Sequence, residues 1–148
     1  MPICFFPRTM NRMRDPKTQL SWFLFVTALI MLSAAGAIVM PYEMMRDFYA
    51  NLGLGELPNI PLVGYLTRSV SALYALSGAT YWFLSRDIDR YLPFLRFSVL
   101  LTAVFNVVLI LIDVGVEMPL YWTLGEGGFL AAWTAAFWWL VRRVEPSE

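Results

Sequence analysis

The amino-acid sequence predicts an all-α fold: an integral membrane, antiparallel four-helix bundle with a short outer amphipathic helix. Three observations predict it. Of 148 residues, 59% are hydrophobic and only 15% charged, too apolar for an ordinary soluble domain. The apolar residues gather in blocks of about 20, the length that carries a helix across a hydrocarbon core of roughly 30 Å. The charges fall between those blocks, with a bias of sign from one connection to the next. Strands do not fit, because a lipid-facing strand needs a closed barrel and these continuous apolar runs lack barrel alternation.

The predicted spans cover about residues 20–40, 63–84, 92–114 and 119–141. Residues 1–19 then form a basic cytoplasmic tail and residues 142–148 a second one. Arg8, Arg12, Arg14 and Lys17 precede the first span, Arg86 and Arg90 lie between the second and third, and Arg142 and Arg143 follow the fourth. The connection at 41–62 carries Arg46 against Glu43, Asp47 and Glu56, and the one after the third span has Glu117 and no base. Basic connections stay inside, so both termini are expected in the cytoplasm. A cleaved signal peptide ending at Ala35-Gly36-Ala37 is the alternative for the first span. The apolar run continues through Ile38, Val39 and Met40, which favours an uncleaved anchor.

Each element has a local reason. The first span ends in Ser33-Ala34-Ala35-Gly36-Ala37, small residues that let helices approach closely. In the outer connection Pro41 suits a first helical position. Met44, Met45, Phe48 and Leu52 then share one face, and Gly53 or Gly55 can end the helix. Pro58 and Pro61 stiffen the descent into the second span. The inner connection at 85–91 is so short that the second and third helices must be antiparallel neighbours, with Ser85 or Asp87 as cap. Arg96 can snorkel back to this inner surface. Gly125-Glu126-Gly127-Gly128 should interrupt the fourth helix or admit a close neighbour.

Missing residue types exclude much chemistry. The sequence has no histidine and a single cysteine, Cys4. Side-chain ligation of b-type haem, copper or a His-bearing di-iron centre is therefore not expected, nor is a Ser-His protease or a dithiol redox pair. Cys4 reads as a plain thiol, with acylation near the membrane as the alternative. No cofactor, metal site or nucleic-acid partner is expected, since neither a phosphate loop nor an extended basic patch occurs.

Three ionisable residues fall at nearly one depth beneath the outer surface. Arg68 lies about five residues, roughly 7 Å, below the outer end of the second helix. Glu126 lies about seven residues, roughly 10 Å, below that of the fourth, and Asp113 sits at the outer end of the third. Charge in hydrocarbon costs at least about 2.5–3.5 kcal/mol per group, so such residues face one another, water or a ligand. Asn106 and Thr102 continue a polar stripe below Asp113, and Arg68, Ser71, Ala75 and Gly78 form a polar, small-sided face. Three readings stand. Arg68 and Glu126 form an internal salt bridge that sets helix register. Alternatively, the cluster lines an outward pocket for an anionic or carbonyl-bearing head group, with Trp122, Trp133, Tyr121 and Tyr74 as walls. Or Glu126 or Asp113 carries protons in a minimal oligomeric transporter.

Tyr65-Leu66-Thr67-Arg68-Ser69, Tyr74-Ala75 with Gly78, Ser85-Arg86-Asp87 through Arg90-Tyr91-Leu92-Pro93, and Trp122-Thr123-Leu124-Gly125-Glu126-Gly127 resemble a family of small bacterial four-span membrane proteins of uncharacterised activity. The chain's general shape also resembles the broader DoxX-like and BphX-like proteins. The resemblance covers about residues 40–130, implies a multi-pass protein of the bacterial inner membrane, and carries over no catalytic residue. The expected function is non-enzymatic: an accessory subunit of a membrane complex, a homo-oligomer, or a binder of a lipid-like ligand.

Overall fold

The computed structural model describes residues 15–144, and all regular structure among them is helical. Expectations that fall on residues 1–14 and 145–148, including those for Cys4, Arg8, Arg12 and Arg14, lie outside the described residues. In chain order the helices are α1 (Pro16–Ser33), α2 (Ala35–Ile38), α3 (Tyr42–Asn51), α4 (Pro61–Leu84), α5 (Ile88–Gly115) and α6 (Leu120–Arg142). Two stretches, Pro16–Ile38 and Ile88–Gly115, are long and apolar enough to cross a membrane. The α4 and α6 helices match them in length, but hydroxyls, glycines, Tyr and Trp dilute their apolar content. Two compact units make up the described residues: Leu24–Ser85, and 15–23 with 86–144.

Within Leu24–Ser85, the close contact joins the latter half of α1 to α4 at Gly78. A Cβ there would lie 2.8 Å from the Leu32 backbone N and 2.9 Å from the Ala28 carbonyl oxygen. Only glycine permits this approach. The small cluster at 33–37 packs here too, since α2 lies against α4, although a Cβ on Gly36 itself would meet open space. The helix also tightens there: Ser33 Oγ donates to the Ile30 carbonyl at 2.6 Å, and Ala34 N–H to that of Met31 at 3.2 Å.

Pro41 is the residue before α3, in extended conformation, one position earlier than expected. Gly53 does end the helix, at a φ of 73° that favours glycine. Of the apolar face, Met45 is buried while Met44 and Phe48 are 57% and 66% exposed. Arg46 donates to Asp47 through Nε and Nη2, at 3.0 and 2.8 Å. This hydrogen bond, with the charge of Asp47, raises the Arg46 pKa above its ordinary value. Tyr42 Oη donates to the Leu57 carbonyl, tying the start of α3 to the segment before α4. Pro61 then occupies the first turn of α4, which begins two residues earlier than expected because proline is preorganised there.

The second unit has its own core. Phe23 stacks on Trp133 with ring centroids 4.1 Å apart, and on Phe137 at 5.8 Å. Asp15 accepts from Thr18 N and Oγ1, so α1 starts at Pro16 and takes in part of the expected tail. Lys17 pairs with Asp89 at 2.6 Å. The α5 helix begins at Ile88, a turn before the expected start, because Asp87 caps it by accepting from Arg90 N at 3.2 Å. Pro93 is accommodated within its early turns. Arg96 Nη2 reaches the Val144 carbonyl at 3.4 Å.

The turn from α5 to α6 is a Schellman motif. Met118 N–H donates to the Asp113 carbonyl at 2.9 Å and Glu117 N–H to that of Val114 at 3.3 Å. Glu117 sits at the left-handed position, φ 58°, where glycine is usual. The expected interruption at Gly125-Glu126-Gly127-Gly128 does not occur: α6 is continuous from Leu120 to Arg142, its ladder outweighing the weak propensity of glycine. Close approach is made at Gly127 alone of these glycines, where a Cβ would lie 3.0 Å from Ile110 Cγ1 on α5.

Candidate functional site

Arg68 lies one turn after Gly64 on the same face of α4. Without a Cβ on Gly64 the guanidinium folds back along the helix, and Nη1 donates to the Gly64 carbonyl at 3.3 Å. A Cβ there would come within 2.9 Å of Nη1. Nε donates to the Ile38 carbonyl at 3.0 Å and Nη2 to that of Met40 at 3.2 Å. These carbonyls close the first helical stretch, whose last oxygens have no intrahelical donor, and Pro41 has no N–H to offer. Arg68 is thus a side-chain cap on a helix C-terminus, where the helix dipole favours a cation.

Arg68 and Glu126, expected to pair, belong to different units, and each makes hydrogen bonds within its own. All three hydrogen bonds of Arg68 end on carbonyls of its own unit. Glu126 Oε2 accepts from Trp122 Nε1, one turn earlier on α6, at 2.9 Å. Backbone oxygens leave no mark in a sequence. The residue types that could have signalled them are Gly64, four before Arg68, and Pro41, following a helix end without a glycine cap.

A guanidinium carries five N–H donors, and three are used here. One N–H on Nη1 and one on Nη2 remain, and Arg68 lines a groove of about 600 Å³ contained in the Leu24–Ser85 unit. Tyr42, Asn59, Pro61, Tyr65 and Ser69 contribute to its walls. The expected wall residues do other things. Tyr74 is absent from the lining, Trp122 serves Glu126, and Trp133 stacks on Phe23. Ser71, expected in the cluster, is buried and donates back to the Thr67 carbonyl at 2.8 Å.

The remaining predicted residues belong to the other unit. Asn106 faces α6, its Oδ1 lying 3.9 Å from where a Gly127 Cβ would be. Asp113, two turns along α5, is buried. Asn106 Oδ1 and Asp113 Oδ2 have no hydrogen-bond partner among the described residues. Thr102 and Ser98 complete this stripe by donating back into their own helix, each at 2.9 Å. Among the described residues no group of three or more Asp, Glu or Cys is arranged to hold a metal ion.

Fold and site together define an all-helical protein with two apolar stretches of membrane-spanning length and an arginine-lined groove. Comparison with protein-family models, curated proteins and solved structures finds no match to this chain.

Proposed function

We propose that this chain is a small, non-enzymatic integral protein of the bacterial inner membrane that binds a lipid-like ligand at the Arg68 groove, and serves as an accessory component of a membrane complex. On this reading α1 with α2, α4, α5 and α6 are four antiparallel spans, both termini are cytoplasmic, and α3 lies on the outer surface.

Side-chain exposure supports the membrane reading. Leu66, Val70 and Leu73 on α4, Val104, Val107 and Leu111 on α5, and Leu124 and Phe129 on α6 are all exposed, while Ser71, Ser98 and Asp113 are buried. Water disfavours so extensive an apolar exterior, and lipid does not. Hydroxyls on these helices also satisfy themselves. Thr67, Ser77, Thr80 and Thr134 each donate to the carbonyl four residues back, which suits a solvent without hydrogen bonds.

The observation that carries the ligand reading is the groove with a cation that keeps two N–H donors. Native mass spectrometry of the chain released from lipid nanodiscs tests it. A retained amphiphile or companion subunit is expected; a strictly monomeric, ligand-free species would overturn the reading. The buried, unpartnered carboxylate oxygen of Asp113 favours a second reading, an oligomeric proton-coupled transporter using Asp113 or Glu126. Proteoliposome flux unchanged by Asp113→Asn and Glu126→Gln would eliminate it.

A further inference from the structure

The groove's chemistry narrows its ligand. Its lining contains no acidic residue, and its one charged group is Arg68. Among the described residues of the Leu24–Ser85 unit no carboxylate pairs with that guanidinium, whose charge is met by the carbonyls of Ile38, Met40 and Gly64. Pro61 and Gly64 bring the first turn of α4 to the same groove, and a helix N-terminus carries partial positive charge. Arg68 and the α4 N-terminus therefore both contribute positive potential, beside the carbonyl oxygens that Arg68 caps.

The donor geometry is equally specific. Nε and one N–H of each terminal nitrogen are committed to carbonyls, which holds the guanidinium plane fixed. One donor on each of two neighbouring nitrogens stays open. A planar pair of donors matches two oxygens on one centre, the arrangement of a carboxylate or phosphate, and charge assistance makes such bonds about twice as strong as neutral ones. The hydroxyls and amide of Tyr42, Asn59, Tyr65 and Ser69 sit around the same space. Tyr42 already donates its own O–H to Leu57, so Asn59, Tyr65 and Ser69 supply the adaptable polar contacts.

We infer that the groove is an oxyanion site: it takes the carboxylate or phosphate head group of an amphiphile on the two open N–H groups of Arg68, with Asn59, Tyr65 and Ser69 beside it. This rests on the ligand-binding reading above and assigns its chemical class. Arg68 has two duties here, since the carbonyl bonds that cap the first helical stretch also preorganise the ligand's donors. Preorganisation of that kind favours binding by removing the ordering cost.

The test titrates the full chain in non-ionic detergent with three amphiphiles: oleate, dioleoylphosphatidylglycerol, and oleyl alcohol as the uncharged match to oleate. Binding is read by native mass spectrometry. At least one of the two anions is expected to bind tenfold or more tightly than oleyl alcohol, and the tighter of them identifies a carboxylate or a phosphate source. Ser69→Leu fills the groove while leaving the Arg68 carbonyl bonds in place, and is expected to abolish the preference without lowering the unfolding temperature. Oleyl alcohol binding as tightly as both anions overturns the oxyanion assignment but leaves ligand binding intact. An anion preference that survives Ser69→Leu overturns the placement in this groove. Binding of none of the three overturns this inference, and a nanodisc-released species without lipid separately overturns the ligand reading beneath it.

Discussion

Replacing Gly78 by alanine should destabilise the protein, although alanine is the better helix former. The new Cβ would lie 2.8 Å from the Leu32 N and 2.9 Å from the Ala28 carbonyl oxygen. Both are backbone atoms and cannot rotate away, so α1 and α4 must separate by several tenths of an ångström or more. Overpacking of this kind costs about 1–3 kcal/mol. Helix propensity returns about 1 kcal/mol. A net loss of up to about 2 kcal/mol follows, and Gly128→Ala is the control. It lies in α6 with nothing within 4 Å of its would-be Cβ, so only the propensity gain of about 1 kcal/mol applies. The two variants should thus differ by roughly 1–3 kcal/mol, or about 5- to 150-fold in the folded-to-unfolded ratio. Unfolding in mixed micelles with rising dodecyl sulfate, followed by tryptophan fluorescence, measures this. Gly78→Ala as stable as Gly128→Ala would refute the close approach.

Three further substitutions address other joints of the structure. Arg68→Ala removes three charge-assisted hydrogen bonds and leaves the Ile38 and Met40 carbonyls without that donor, so a loss of about 2–4 kcal/mol is expected in the same titration. Arg68→Lys should recover part of it, since an ammonium cannot span all three acceptors; full recovery would deny the clamp. Glu117→Gly should stabilise by about 1 kcal/mol by relieving the left-handed backbone, and no gain would mean the Schellman turn is absent. Asp87→Ala should cost about 1 kcal/mol through loss of the α5 cap, whereas Asp89→Ala, not a cap, should leave that terminus formed.

The elements most legible in the sequence were those set by local chemistry. Gly53, one of two glycines offered, closes α3 at positive φ, and Asp87 was one of two candidates for the α5 cap. The small-sided face through Ser71 and Gly78 is buried, because spacing along a helix fixes which residues share a side. Arg68 was legible as a costly charge, but its partners were not. Matching depths suggested Glu126, whereas the nearest acceptors are backbone oxygens whose positions depend on where the first helical stretch ends. The helix contact was legible in part. Composition pointed to the Ser33-Ala37 cluster, and α2 does pack on α4, but the tightest approach occurs at Ala28 and Leu32, where the register of α4 brings Gly78. In α6, three glycines within four residues suggested a break, yet each can still complete the backbone ladder.

The central proposal, an outward-facing groove on a membrane-spanning bundle, is tested most directly at Asn59. In a Cys4→Ser background, Asn59→Cys in intact bacterial cells is treated with a membrane-impermeant maleimide, and the labelled protein is recovered from the membrane fraction. The proposal predicts labelling without permeabilisation, and protection when a bound anionic amphiphile fills the groove. Labelling only after the inner membrane is opened, or recovery of the chain in the soluble fraction, would contradict it.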